Sequence, residues 1–167
     1  MPAPDVVSPP TPAANRPPRP SATVVVVRDG AQGIEVLLSC RAERGDHNSG
    51  AWVFPGGLVD PGDARAHACC AGLDDAAASA RLGMPEGGLD YYIAAVRESF
   101  EESGLLYATD ASGGLVEFND AAAARLAPWR GALHRGEKGL AEFCGEFDLA
   151  LAVDRLIYFS HWVTPLS

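Results

Sequence analysis

Short apolar runs and one long amphipathic stretch carry most of the structural information in this chain. Thr23-Val-Val-Val-Val27 and Ile34-Glu-Val-Leu-Leu38 flank Asp29-Gly30-Ala31-Gln32-Gly33, a pattern that predicts two strands joined by a glycine-containing turn. Trp52-Val53-Phe54 predicts a third short strand, ended by Pro55-Gly56-Gly57, because proline offers no ladder donor and glycine accepts a positive φ. Alanine, glycine and acidic residues alternate over 64–88, with a short helix expected from Asp75 through Arg81, closed by Gly83. Asp90 is placed to cap a longer helix from Tyr91 to Ser103 that stops at Gly104. Weaker helices are expected near Asp120–Leu126 and Gly139–Gly145, and Leu156 to Pro165 reads as a strand that simply stops.

Residues 1–20 hold eight prolines and few large apolar side chains, so they cannot bury enough surface to offset the entropy of ordering. They are expected to form a disordered tail, its P-x-x-P spacing read as inert, with one folded domain over 21–167. A formal net charge of −9 argues against a phosphate-tracking hold on nucleic acid, which needs clustered Lys and Arg. It leaves open a small anionic substrate, since a bound divalent cation can reverse the local field. Cys40, Cys69, Cys70 and Cys144 form no C-x-x-C pair, and His67-Ala-Cys69-Cys70 has no second ligand pair at zinc-site spacing, so these are read as ordinary residues of a reduced, cytoplasmic protein. The longest aliphatic run, Val24 to Val27, is far too short to span a bilayer, and no membrane association is expected.

Charge placement on the long helix changes the picture. Glu98, Glu101 and Glu102 (i, i+3, i+4) fall within a sector of roughly 100°, while Leu89, Tyr92, Ile93, Val96 and Phe100 take the opposite face. Like charges at these spacings oppose helix formation, and only Arg97 lies close enough in sequence to compensate. A hard oxygen-seeking cation, Mg²⁺ or Mn²⁺, would neutralise them; a solvated acidic face is the plainer alternative.

Together the helix and the glycine turn resemble the box of the Nudix hydrolases, G-x5-E-x7-R-E-U-x-E-E-x-G-U. Its second half stands as Arg97-Glu98-Ser99-Phe100-Glu101-Glu102-Ser103-Gly104-Leu105, and its first half is similar to Phe54-Pro55-Gly56-Gly57-Leu58-Val59-Asp60-Pro61-Gly62-Asp63. Asp63 replaces the first glutamate and Ser99 the aliphatic residue. Thirty-three residues separate Asp63 from Arg97 where the box has seven, so 64–88 must bulge out as an insertion and return the helix to the turn. The resemblance implies an α/β class, an α/β/α sandwich with a mixed β-sheet, C-terminally incomplete if the last strand ends the domain. It implies Glu98, Glu101, Glu102 and the Gly56 carbonyl as Mg²⁺ or Mn²⁺ ligands, with Arg97 orienting the carboxylates and meeting Asp63. Glu98 is the first choice for the general base, with Glu142 or Glu146 as alternatives, and Arg41 and Arg44 could meet substrate phosphates. The insertion and His161-Trp162-Val163-Thr164-Pro165 look most like the coenzyme A and acyl-coenzyme A diphosphatase branch. The implied partner is a small nucleoside diphosphate derivative; ADP-ribose, a dinucleotide such as NADH, or a non-catalytic nucleotide-binding module are the alternatives.

Overall fold

The structure is a computed structural model that describes residues 18–41, 50–117 and 119–163. Among these residues eight short strands and four α-helices make a mixed α/β unit. Strands β1 (Ser21–Thr23) and β6 (Gly56–Leu58) pair antiparallel, with Thr23 opposite Gly56. Strands β2 (Val27–Gly30) and β3 (Gly33–Val36) form the expected hairpin, Gly30 opposite Gly33 around Ala31-Gln32. Strands β4 (Ser39–Cys40) and β5 (Trp52–Val53) pair next, and β7 (Ala108–Thr109) pairs with β8 (Ala150–Leu151). Among the described residues every ladder is antiparallel, and the parallel component is one bridge between Cys70 and Leu151. The apolar run from Thr23 to Val27 is split between β1 and β2, and the run from Ile34 to Leu38 leaves the ladder after Val36. The folded region reaches back to Pro20, whose carbonyl accepts from the Val59 N–H at 3.0 Å.

Helix α1 (Asp75–Leu82) ends at Gly83, whose φ of 67° makes it the left-handed cap the sequence asked for. Helix α2 spans Gly88–Ser103, three residues earlier than the expected start at Tyr91. The reason is a cap supplied from a distance. The Asp75 carboxylate accepts from the Gly87 N–H at 3.0 Å and the Leu89 N–H at 2.9 Å, and the Ser79 hydroxyl accepts from the Gly88 N–H at 2.9 Å. These are among the donors a helix start leaves orphaned, so the helix can begin before any local cap. Asp90, expected as that cap, lies in the first turn and pairs instead with His67 Nε2 at 2.6 Å.

Because the Leu89 and Gly87 N–H groups point at it, the Asp75 carboxyl sits below its ordinary value of 3.8. A depressed folded pKa stabilises above the unfolded value and loses that contribution as pH falls through the folded one. Asp75→Ala should therefore lower unfolding free energy by roughly 1–2 kcal/mol at neutral pH. In urea titrations the gap to the wild-type protein should narrow as the pH falls below the ordinary aspartate value; a gap that does not narrow there would contradict this account.

Helix α3 covers Asp120–His134, well past the expected end at Leu126, and continues through Pro128. Helix α4 covers Leu140–Phe147. The apolar face of α2 (Leu89, Tyr92, Ile93, Val96, Phe100) is buried against Leu126 and Leu133 of α3 and Leu140 and Phe143 of α4. Phe143 is the aromatic hub, 5.4 Å from Phe100 and 5.6 Å from Trp129 between ring centroids. Ser99 joins this buried face, and its hydroxyl has no hydrogen-bond partner among the described residues.

The strand expected over Leu156–Pro165 does not form: Leu156–Val163 has no ladder partner, and 164–165 lie outside the described residues. Ile157, Phe159 and Trp162 are almost fully exposed there, so β-propensity without a neighbouring edge leaves the segment irregular. No helix among the described residues is long and apolar enough to cross a membrane.

Candidate active site

Three chain segments distant in sequence meet at one point. β6 and the turn after it bring Gly56, Gly57, Leu58 and Asp63, α2 brings Arg97, Glu98, Glu101 and Glu102, and α3 brings Arg130 and His134. Arg97 is the joint. Its Nε donates to Asp63 Oδ1 at 2.8 Å and its Nη2 to Asp63 Oδ2 at 3.2 Å, a two-pronged pairing across 33 intervening residues. The same guanidinium donates to Glu98 Oε1 at 2.7 Å, to Glu101 Oε1 at 3.3 Å and to the Leu58 carbonyl at 2.8 Å. Burial works against its charge, but Asp63 and Glu98 outweigh burial and hold its pKa above the ordinary arginine value.

The carboxylates differ in their surroundings. Glu102 is held by the Gly56 N–H, which donates to its Oε2 at 3.1 Å. Glu98 lies so close over Gly57 that a Cβ at that position would run into its carboxylate, which is why the turn needs a residue without a side chain there. Glu101 is the most enclosed of the three, its side chain 7% exposed. Burial raises its pKa above the ordinary carboxylate range, an effect only partly offset by Arg97 and by His134, whose Nδ1 is 3.4 Å from Oε2.

Two of these partners were not read from the sequence. Arg130 donates from Nε to the Glu101 carbonyl and from Nη2 to the Glu102 carbonyl, both at 2.8 Å, satisfying two of the acceptors that the end of α2 leaves free. Arg130 and His134 are four apart on one helix, a spacing that would have been informative had α3 been carried past Leu126 and Pro128. Glu142, an alternative base, is engaged elsewhere: its carboxylate accepts from the Gly139 N–H at 3.0 Å at the start of α4. Arg44 lies outside the described residues, whereas Arg41 lines a cavity of about 630 Å³ that reaches Gly56 and Glu102.

Asp63, Glu98 and Glu101 surround the Arg97 guanidinium and Glu102 stands beside them at Gly56, so the cluster carries excess negative charge. All its anionic donors are oxygens, the type that hard divalent cations select. No three His, Cys, Asp or Glu side chains among the described residues converge into a ready-made cage. Mg²⁺ asks for none, since it keeps several waters and binds through one or two carboxylates with the phosphates of a substrate. The all-oxygen donor set and its surplus of carboxylates fit such an ion.

The chain is also similar to known proteins. The NUDIX domain family model matches residues 17–71. An acyl-coenzyme A diphosphatase of Xenopus laevis is 27% identical over 160 residues, covering 79% of this chain and 42% of that protein. The crystal structure of a NUDIX hydrolase from Alicyclobacillus acidocaldarius superposes with a TM-score of 0.62 at 29% identity, covering 84% of this chain and 59% of that one. The chain thus spans about half the length of the relatives it matches. The first half of the box lies inside the matched residues 17–71, and the second half, beyond the 33-residue separation, is brought to it by Arg97. Residues 17–71 thus match the NUDIX domain, and the chain is similar to a NUDIX hydrolase in fold and to an acyl-coenzyme A diphosphatase in sequence.

Proposed function

We propose that this protein hydrolyses the diphosphate bond of a nucleoside diphosphate derivative, coenzyme A or acyl-coenzyme A in the first place, with Mg²⁺ or Mn²⁺. The observation that carries this reading is the single guanidinium of Arg97 tying Asp63, Glu98 and Glu101 beneath the glycine turn while Glu102 is held from above by Gly56. The Xenopus relative, an acyl-coenzyme A diphosphatase, supports the choice of substrate.

Glu98, Glu101 and Glu102, with the Gly56 carbonyl, would hold the metal, which when bound neutralises the diphosphate and acidifies water for attack at phosphorus. The protein's own groups do the rest. Arg97 keeps Glu98 and Glu101 on one side of α2. Glu98, ion-paired at one oxygen, takes the water's proton at its carboxylate. Arg130 fixes the backbone of Glu101 and Glu102 through their carbonyls, so their side chains start from a rigid base.

Hydrolysis of coenzyme A, an acyl-coenzyme A, ADP-ribose and NADH with and without Mg²⁺, in wild type and in Glu101→Gln and Glu102→Gln, tests this. Metal-dependent cleavage of the coenzyme A compounds is expected, reduced roughly tenfold to a hundredfold in each variant. Because burial already disfavours the charge on Glu101, glutamine there should leave the fold intact. Folded wild-type protein that turns over none of the four would end the proposal.

A further inference from the structure

The cavity beside Glu102 contains groups that diphosphate cleavage does not require. Trp52 lies in β5 with its side opposite Cys40 of β4, and 68% of it is exposed. Phe54, two residues on, lines the same cavity and is 39% exposed. Arg41 is the cation of the lining, and its backbone is pinned on both sides: its N–H donates to Ala51 at 2.9 Å and its carbonyl accepts from Gly50 at 3.2 Å. Among the described residues its guanidinium has no ion pair. An indole, a phenyl ring and a guanidinium thus line a space continuous with Gly56 and Glu102.

We propose that this cavity seats the nucleobase end of the substrate, the base stacked on Trp52 against Phe54 and a ribose-borne phosphate at Arg41. The diphosphate then runs toward Gly56 and Glu102. This deepens the hydrolase reading and rests on it for the direction of the diphosphate. Flat aromatic surface with a guanidinium matches a nucleotide, because every base offers a π-face and a guanidinium pairs with phosphate. A flexible pantetheine arm would find neither a stacking surface it can use nor a counterion it needs. About 630 Å³ is within the range of small-ligand pockets.

Cys40 makes the idea testable without turnover. Its thiol is exposed and lines the cavity, whereas Cys69 is half-buried elsewhere and Cys144 is buried. The full-length chain is titrated, without metal, with adenosine 3′,5′-bisphosphate or with S-methyl-4′-phosphopantetheine, whose capped thiol does not consume maleimide. Maleimide labelling is read peptide by peptide, together with tryptophan fluorescence. The nucleotide should protect Cys40 but not Cys69 and quench the fluorescence; phosphopantetheine should do neither. Trp52→Ala should weaken nucleotide binding roughly tenfold to a hundredfold, Trp52→Phe much less. Arg41→Ala should weaken the bisphosphate more than adenosine. Protection by phosphopantetheine alone, by neither probe, or protection undiminished in Trp52→Ala would each overturn the proposal. Coenzyme A turnover without nucleotide protection would remove this subsite and leave the hydrolase reading standing. Nucleotide protection without turnover of any substrate would do the reverse.

Discussion

Arg97→Ala should abolish turnover and remove roughly 3–5 kcal/mol of stability, because it strands a buried charge. Asp63 is 2% exposed, and both its oxygens accept from Arg97. Without the guanidinium, Glu98 and Glu101 also lose the one cation that lies between them, and the Leu58 carbonyl loses its donor. Lysine is a poor substitute, since a single ammonium cannot fork toward an aspartate, two glutamates and a carbonyl at once. The informative companion is the double variant Arg97→Ala with Asp63→Asn. If the stability loss comes from the stranded aspartate, urea unfolding should show most of it recovered in the double variant, while hydrolysis stays absent. Equal instability of single and double variants would mean that Arg97 acts on the fold through the glutamates instead.

Gly88→Ala should destabilise by about 3 kcal/mol, the reverse of what helix propensity alone anticipates. In an unencumbered helix alanine is favoured over glycine by about 1 kcal/mol. At Gly88, however, a Cβ would collide with the Ser79 backbone of α1 and stand 2.7 Å from the Ala78 carbonyl carbon. Backbone cannot swing aside as a side-chain tip can, so α1 and α2 must separate, breaking the Ser79 cap on the Gly88 N–H. Gly145 in α4 is the control: nothing lies within 4 Å of a Cβ there, and alanine should stabilise by a few tenths to 1 kcal/mol. Thermal or urea unfolding of the two variants should give opposite signs; two shifts of the same sign would refute the close-approach argument.

The readable parts of this protein were those set by local pattern. The buried face of α2, from Leu89 to Phe100, follows directly from its 3.6-residue period, and so does the facing of the three glutamates. Gly83 and Gly104 end their helices with positive φ, as their positions indicated. What escaped was set from afar. The start of α2 depends on Asp75 and Ser79, more than eight residues upstream, and no local cap betrays it. The helix expected near Asp120–Leu126 runs on through Pro128, because burial of Ala132 and Leu133 carries it further, and it delivers Arg130 and His134 to the carboxylates. The segment after Leu156 has the composition of a strand, but composition cannot supply the neighbour a strand pairs with. At the site, the residue types, their order and a role for Arg97 toward the carboxylates and Asp63 were legible through the resemblance; the Leu58 carbonyl on the same guanidinium, and Arg130 and His134 from α3, were not.

The pairing of Asp63 with Arg97 also fixes where this protein can tolerate change in length. The two ends of the intervening segment are clamped to one another, so the carboxylates do not sense how much chain hangs beyond the clamp. Closing a flexible loop costs only about 0.6 kcal/mol more for each doubling of its length. Residues added at Pro85–Glu86, the exposed turn between α1 and α2, would draw on that small entropy, and would leave the Arg97 joint and the Asp75 cap in place. The stretch that separates the two halves of the box is therefore the natural place to graft a longer element, a route to altering what surrounds the site without retuning the site itself.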